Sequence, residues 1–141
     1  MNLSAKTEYA CLAMLQLALE YRSGEPVQIG RIAGQNGIPK RFLVQILLQL
    51  KHSGLVVSLR GATGGYRLGH PPEDISLAKI LDAVEGKQDK RSVGTAKSQF
   101  AQVLNDVCHE LAAGQQQRLA SITLADLTEQ AALEMEPMWY I

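Results

Sequence analysis

The sequence predicts a mainly α-helical chain carrying one small β-hairpin, and three observations predict it. Apolar residues recur at helical spacing in three stretches between residues 4 and 52, with glycines between them. The period then switches to two, on either side of a glycine-rich tip at residues 61–65. Helical spacing returns after residue 76. Two helices joined by a turn and followed by a hairpin spell a winged helix-turn-helix.

Residues 4–22 form the first helix, with Leu12, Leu15 and Leu19 in one stripe, and Gly24 with Pro26 ends it. Cys11 lies inside that stripe and reads as a small buried hydrophobe. Residues 28–36 form the second helix, turning Ile29, Ile32 and Ala33 inward until Gly37 breaks it. Ile38 fills the turn, and Pro39 follows in the first turn of the third helix, where a missing N–H does no harm. That helix runs to about His52. Phe42, Leu43, Ile46, Leu47 and Leu50 make its apolar face, Lys40, Arg41, Gln45 and Gln49 fall outside it, and Gly54 stops it. Leu55, Val57 and Leu59 then alternate with Val56, Ser58 and Arg60 as a strand does. Residues 66–68 return from the tip, and Pro71-Pro72 closes the unit.

Ser76 caps a short helix over Leu77–Glu85, which Gly86 ends. Residues 87–98 are polar and loop-like. A longer helix carries Phe100, Val103, Leu104, Val107 and Leu111 on one stripe, until Gly114 and the three glutamines at 115–117 weaken it. Thr123, with Asp126 three residues on, starts a last short helix. The expected organisation is a unit over residues 1–86, a polar loop over 87–98, and a helix with a tail over 99–141.

At 141 residues with 46% apolar side chains, the chain can bury one core and is too apolar for disorder. Its net charge is zero but unevenly placed: residues 1–70 carry net +5 and residues 71–141 net −5. Between Glu25 and Glu73 lie 47 residues without a carboxylate, holding Arg31, Lys40, Arg41, Lys51, Arg60 and Arg67. A polyanion fits such a surface. Two cysteines make neither a disulfide framework nor a zinc site, so a reducing cytoplasm is expected. The apolar stretch at residues 9–19 is interrupted by Gln16 and too short to span a membrane.

In a winged helix-turn-helix the third helix enters the major groove of DNA by its N-terminal end. Lys40, Arg41 and Gln45 are the candidates there, Arg suiting guanine O6/N7 and Gln suiting adenine N6/N7. At the hairpin, Arg60 edges a tip slim enough to reach a minor groove, Arg67 lies on the return strand, and Gly64 and Gly65 offer N–H groups to phosphate. Tyr66 reads as packing beneath the hairpin. A nucleotide-phosphate loop would need a GK[ST] ending and a following helix, and this tip has neither. His52, His70 and His109 are scattered, and His109 beside Cys108 points elsewhere on a helix, so neither a metal site nor a catalytic constellation is expected. The alternative to DNA binding is a winged-helix module that binds protein.

Residues 1–10 (MNLSAKTEYA), Ile32-Ala33 with Gly37-Ile38, and Arg60-Gly61 through Gly64-Gly65-Tyr66-Arg67-Leu68-Gly69 resemble the Rrf family of bacterial winged-helix regulators (IscR, NsrR and CymR types). Residues 77–86 and 122–127 resemble it too. The resemblance implies a homodimer held by the long helix near residues 100–119, reading a palindromic operator on double-stranded DNA, and probing it with Arg60 in the minor groove. Val44 departs from the Glu that the family often places just before Gln45. Cluster-bearing members carry three cysteines before the dimer helix, whereas residues 87–98 contain none, so no iron–sulfur cofactor is expected. The ending Met138-Trp139-Tyr140-Ile141 is similar to that of the cysteine-metabolism branch, which implies docking of the terminal Ile into O-acetylserine sulfhydrylase.

Overall fold

Helices and hairpin follow one another in the predicted order in a computed structural model, which describes residues 1–86 and 97–135. Helix α1 (Ala5–Leu19) starts at Ser4, whose hydroxyl accepts the Thr7 N–H, and runs into a 3-10 turn at Tyr21–Ser23. Its buried face is Ala10, Ala13, Met14, Leu17 and Ala18, not the leucine stripe. Leu12 and Leu15 sit at the margin of the core, and Leu19 is exposed. Both stripes have helical period. The alanine face wins because small side chains let α1 approach the helices that surround it.

Helix α2 (Ile29–Asn36) ends at Gly37, which adopts φ 63, a left-handed conformation that costs glycine little. Ile38 is buried in the turn. Pro39 stands one residue before α3 (Lys40–His52) instead of inside its first turn. Leu43, Ile46, Leu47 and Leu50 are buried, whereas Phe42 is half exposed with Arg41 stacked 5.0 Å from its ring centre. At about 100° per residue Phe42 lies at the edge of the face centred on Leu43 and Leu50, so the core does not need it.

The hairpin pairs β1 (Val56–Leu59) with β2 (Gly65–Leu68) antiparallel, Val56 opposite Leu68 and Leu59 opposite Gly65. The alternation is real, but Val56 and Leu68 face the core while Val57 and Leu59 face out. Leu55 is buried from just outside the strand.

Helix α4 (Leu77–Glu85) takes its predicted bounds, with the Ser76 hydroxyl accepting the Lys79 N–H. It is tied to α1 by a short hydrogen bond of 2.6 Å from the buried Thr7 hydroxyl to a Glu85 carboxylate oxygen. Helix α5 (Gln99–Ser121) continues through Gly114 and the glutamines. An exposed glycine costs a helix about 1 kcal/mol, and the Leu, Ala, Gln and Arg around this one outweigh it.

After α5 the chain turns back. The Leu77 N–H donates to the Ile122 carbonyl and the Leu124 N–H to the Ile75 carbonyl, each at 2.9 Å. Thr123 and Asp126 cap α6 (Leu124–Met135) reciprocally, as their spacing predicts. Leu124 is fully buried in the same core as α1, α3 and α4, so α6 packs with the N-terminal unit. Truncating it there should leave a cavity. Leu124→Ala is expected to lower unfolding free energy by about 2–5 kcal/mol, read as an earlier urea midpoint for the whole cooperative transition. An unchanged midpoint would contradict this packing.

Candidate nucleic-acid interface

Part of the predicted basic set lies on the outward side of α3. The buried side of α3 fixes its opposite side outward, and that side carries Arg41, Val44, Gln45, Leu48 and His52, with Lys40 at the start of the helix. Lys40, Arg41 and Gln45 are exposed, as is Arg60 at the tip. Among the described residues the ion pair is Arg31 with Glu20, at 2.9 Å, which leaves Lys40, Arg41 and Arg60 without a carboxylate partner. A cationic side chain without a carboxylate beside it is open to an outside anion.

The hairpin is held in place by backbone. Val27, just before α2, bridges to Tyr66: each N–H donates to the other's carbonyl at 2.8 Å. Sequence reasoning missed this third strand segment, because one paired residue between Pro26 and a helix leaves no alternation to detect. The Gln28 side chain adds a 3.4 Å bond to the Ala62 carbonyl at the tip, and the Arg67 guanidinium donates to the Gly24 carbonyl at 3.3 Å. Tip and helix-turn-helix are thereby fixed to one another.

The glycines of the tip divide by role. The Gly64 N–H donates to the Gly61 carbonyl at 3.0 Å, closing the turn, and a Cβ on Gly64 would collide with the Leu59 carbonyl oxygen. Gly65 has φ +154, and a Cβ there would stand 2.5 Å from the Val27 carbonyl oxygen. Both glycines are thus required for the shape of the hairpin. Tyr66 packs against the core, as expected. Arg67 lies beside Val57 on the outward face and reaches back along the hairpin, away from the tip.

The comparisons with known proteins agree with this geometry. Residues 3–130 match the Rrf2 family, described as iron-dependent transcriptional regulators. The chain belongs to the Rrf2 family. It is 40% identical over 131 residues to an HTH-type transcriptional regulator of Mycobacterium tuberculosis, covering 90% of this chain and 81% of that one. The structure of IscR from T. potens superposes with a TM-score of 0.78 at 34% identity, covering 93% of this chain and 88% of that one. CymR, titled the global cysteine regulator of B. subtilis, gives 0.72 at 29% identity, covering 92% and 98%. The chain is therefore a DNA-binding transcriptional regulator of winged-helix architecture.

Iron–sulfur chemistry, which the family description invites, can be tested on the donors present. Cys11 is on α1 and Cys108 on α5, and they are the chain's only cysteines. Burial, reinforced by the nearby carboxylates of Glu85 and Glu8, pushes the Cys11 thiol up to about 11, so it stays protonated at neutral pH and is a poor ligand. Among the described residues no three His, Cys, Asp or Glu side chains group as metal ligands. This donor set does not fit an iron–sulfur cluster. The tail residues Met138 to Ile141 lie outside the described residues, and the comparisons do not support the sulfhydrylase partner expected for them. Among the described residues no helix is long and apolar enough to cross a membrane.

Gly65→Ala should strain the bridge to Val27 and lower stability by about 2 kcal/mol or more, measured by denaturant unfolding. A loss below about 0.5 kcal/mol would show that the hairpin does not depend on this close approach.

Proposed function

We propose that this Rrf2-family chain acts as a homodimeric repressor that needs no iron–sulfur cluster, each protomer placing α3 in the major groove and its hairpin tip in the adjacent minor groove. The observation that carries the reading is the exposed end of α3, where Lys40, Arg41 and Gln45 stand on a chain stretch that lacks any carboxylate and also carries an exposed Arg60 at the hairpin tip. Arg41 and Gln45 have the hydrogen-bonding geometry to read guanine and adenine edges. Lys40 supplies a point charge for a phosphate or a base edge. Arg60 suits the negative potential of a narrow minor groove. Gly64 and Gly65 keep the tip thin, and Arg67 braces the hairpin at the end away from the tip.

Homodimerisation is supported by α5. Phe100, Val103, Leu104, Val107 and Leu111 recur along one stripe, and all are exposed in the single chain. So much apolar surface on one helix calls for a partner, and a second α5 in two-fold relation would cover it. Such a dimer presents two α3 helices to half-sites about one duplex turn apart, hence a palindromic operator. A dimer seated there excludes other proteins from that stretch of DNA.

The experiment is titration of duplexes selected from genomic DNA, at several stated salt concentrations. Affinity should fall steeply as salt rises, since phosphate contacts release counterions. Arg41→Ala should cost about 1–3 kcal/mol and relax preference at one base position. Arg60→Ala should weaken binding most where flanking A-tracts narrow the minor groove. Binding with no preference for sequence, or none at all, would overturn the proposal in favour of a protein-interaction module.

A further inference from the structure

Two side chains on the outward face of α3 are apolar. Val44 and Leu48 are 45% and 58% exposed among the described residues. They lie four residues apart, so they form one apolar strip, with Arg41 and Gln45 on the same face and Lys40 at its start. Apolar side chains amid basic and amide groups suit neither free solvent nor an acidic protein. They suit a surface that offers hydrogen-bonding edges, phosphates and an isolated apolar group side by side. The major groove is such a surface, and its apolar group is the 5-methyl of thymine.

We infer that Val44 is a specificity-determining residue that packs against a thymine 5-methyl group, so that Gln45 and Val44 together select an A·T-containing step. The inference rests on the DNA-binding reading and goes further, to the base identity and the atom recognised. Val44 is preferred over Leu48 for two reasons. It lies nearer the N-terminal end of α3, about 6 Å closer along the axis, where a recognition helix meets base edges. Its branched side chain also has one strongly favoured rotamer in a helix, so its methyls are held in place before binding, whereas the Leu48 side chain has more freedom to lose. Val44 is not part of the buried core, and Ala there is a better helix former.

The test uses the full chain and an operator selected from random duplexes. Each thymine is replaced in turn by deoxyuridine, which removes the 5-methyl and leaves the pairing edge unchanged. Affinities are measured by fluorescence anisotropy at fixed salt for the wild type, Val44→Ala and Leu48→Ala. In the wild type, one thymine position per half-site should bind about three- to fivefold more weakly as deoxyuridine, the factor that burying one methyl carries. Val44→Ala should abolish that difference at that position while leaving the salt dependence unchanged, and Leu48→Ala should keep it. A selected operator with no such position, or a difference that survives Val44→Ala or disappears with Leu48→Ala, would overturn the assignment. If no sequence is enriched at all, the DNA-binding reading fails first and this one falls with it.

Discussion

Everything at the candidate interface depends on one backbone contact, the reciprocal hydrogen bonds between Val27 and Tyr66. A two-stranded hairpin alone is marginal in water. Here the hairpin gains a third strand segment from the residue that leads into α2, so its position is set by the same chain that sets the helix-turn-helix. Gly65 permits the approach, since any side chain there would press on the Val27 carbonyl. Gln28 and Arg67 brace the hairpin from either side. The separation of α3 from Arg60 is therefore a property of the fold, and a duplex that fits both meets a surface already formed.

Charge follows from the same arrangement. The stretch without carboxylates would mean little if its basic residues scattered over the surface. Folding instead buries Leu43, Ile46, Leu47 and Leu50, which obliges Arg41 and Gln45 to face outward, and it hands Arg31 to Glu20 as a local pair. What remains exposed on α3 is a cationic end with an apolar strip on the same face. The acidic half of the sequence is carried largely by the elements from α4 onward, away in the chain from that end.

The elements with strong local signals were legible in the sequence. Glycines at 37, 54 and 86 ended helices, Ser76 and the Thr123–Asp126 pair began them, and period-two alternation marked the hairpin. Features that depend on tertiary contact were not legible. Periodicity could not say which stripe of α1 faced inward, because alanines and leucines recur equally well and only neighbouring helices choose between them. Phe42 looked like core, yet four other residues already fill that face of α3. Gly114 and the glutamines after it suggest a weakened stretch of α5, which the helix propensity of their neighbours carries through. The return of Leu124 to the first core, like the Val27 bridge, joins residues far apart in sequence and leaves no local mark. Lys40, Arg41, Gln45 and Arg60 are expected at the interface from residue type and order, and all four are exposed, but the exposure of Val44 and Leu48 needed the structure, since exposure of an apolar residue cannot be read from its name.

The most direct measurement is amide chemical-shift mapping of the labelled protein as a selected duplex is titrated in. Large perturbations should fall on residues 40–48 and 60–65, with α6 and the buried faces of α1 and α4 nearly unmoved. Perturbations centred on α5 or α6, with α3 and the hairpin tip unaffected, would contradict this.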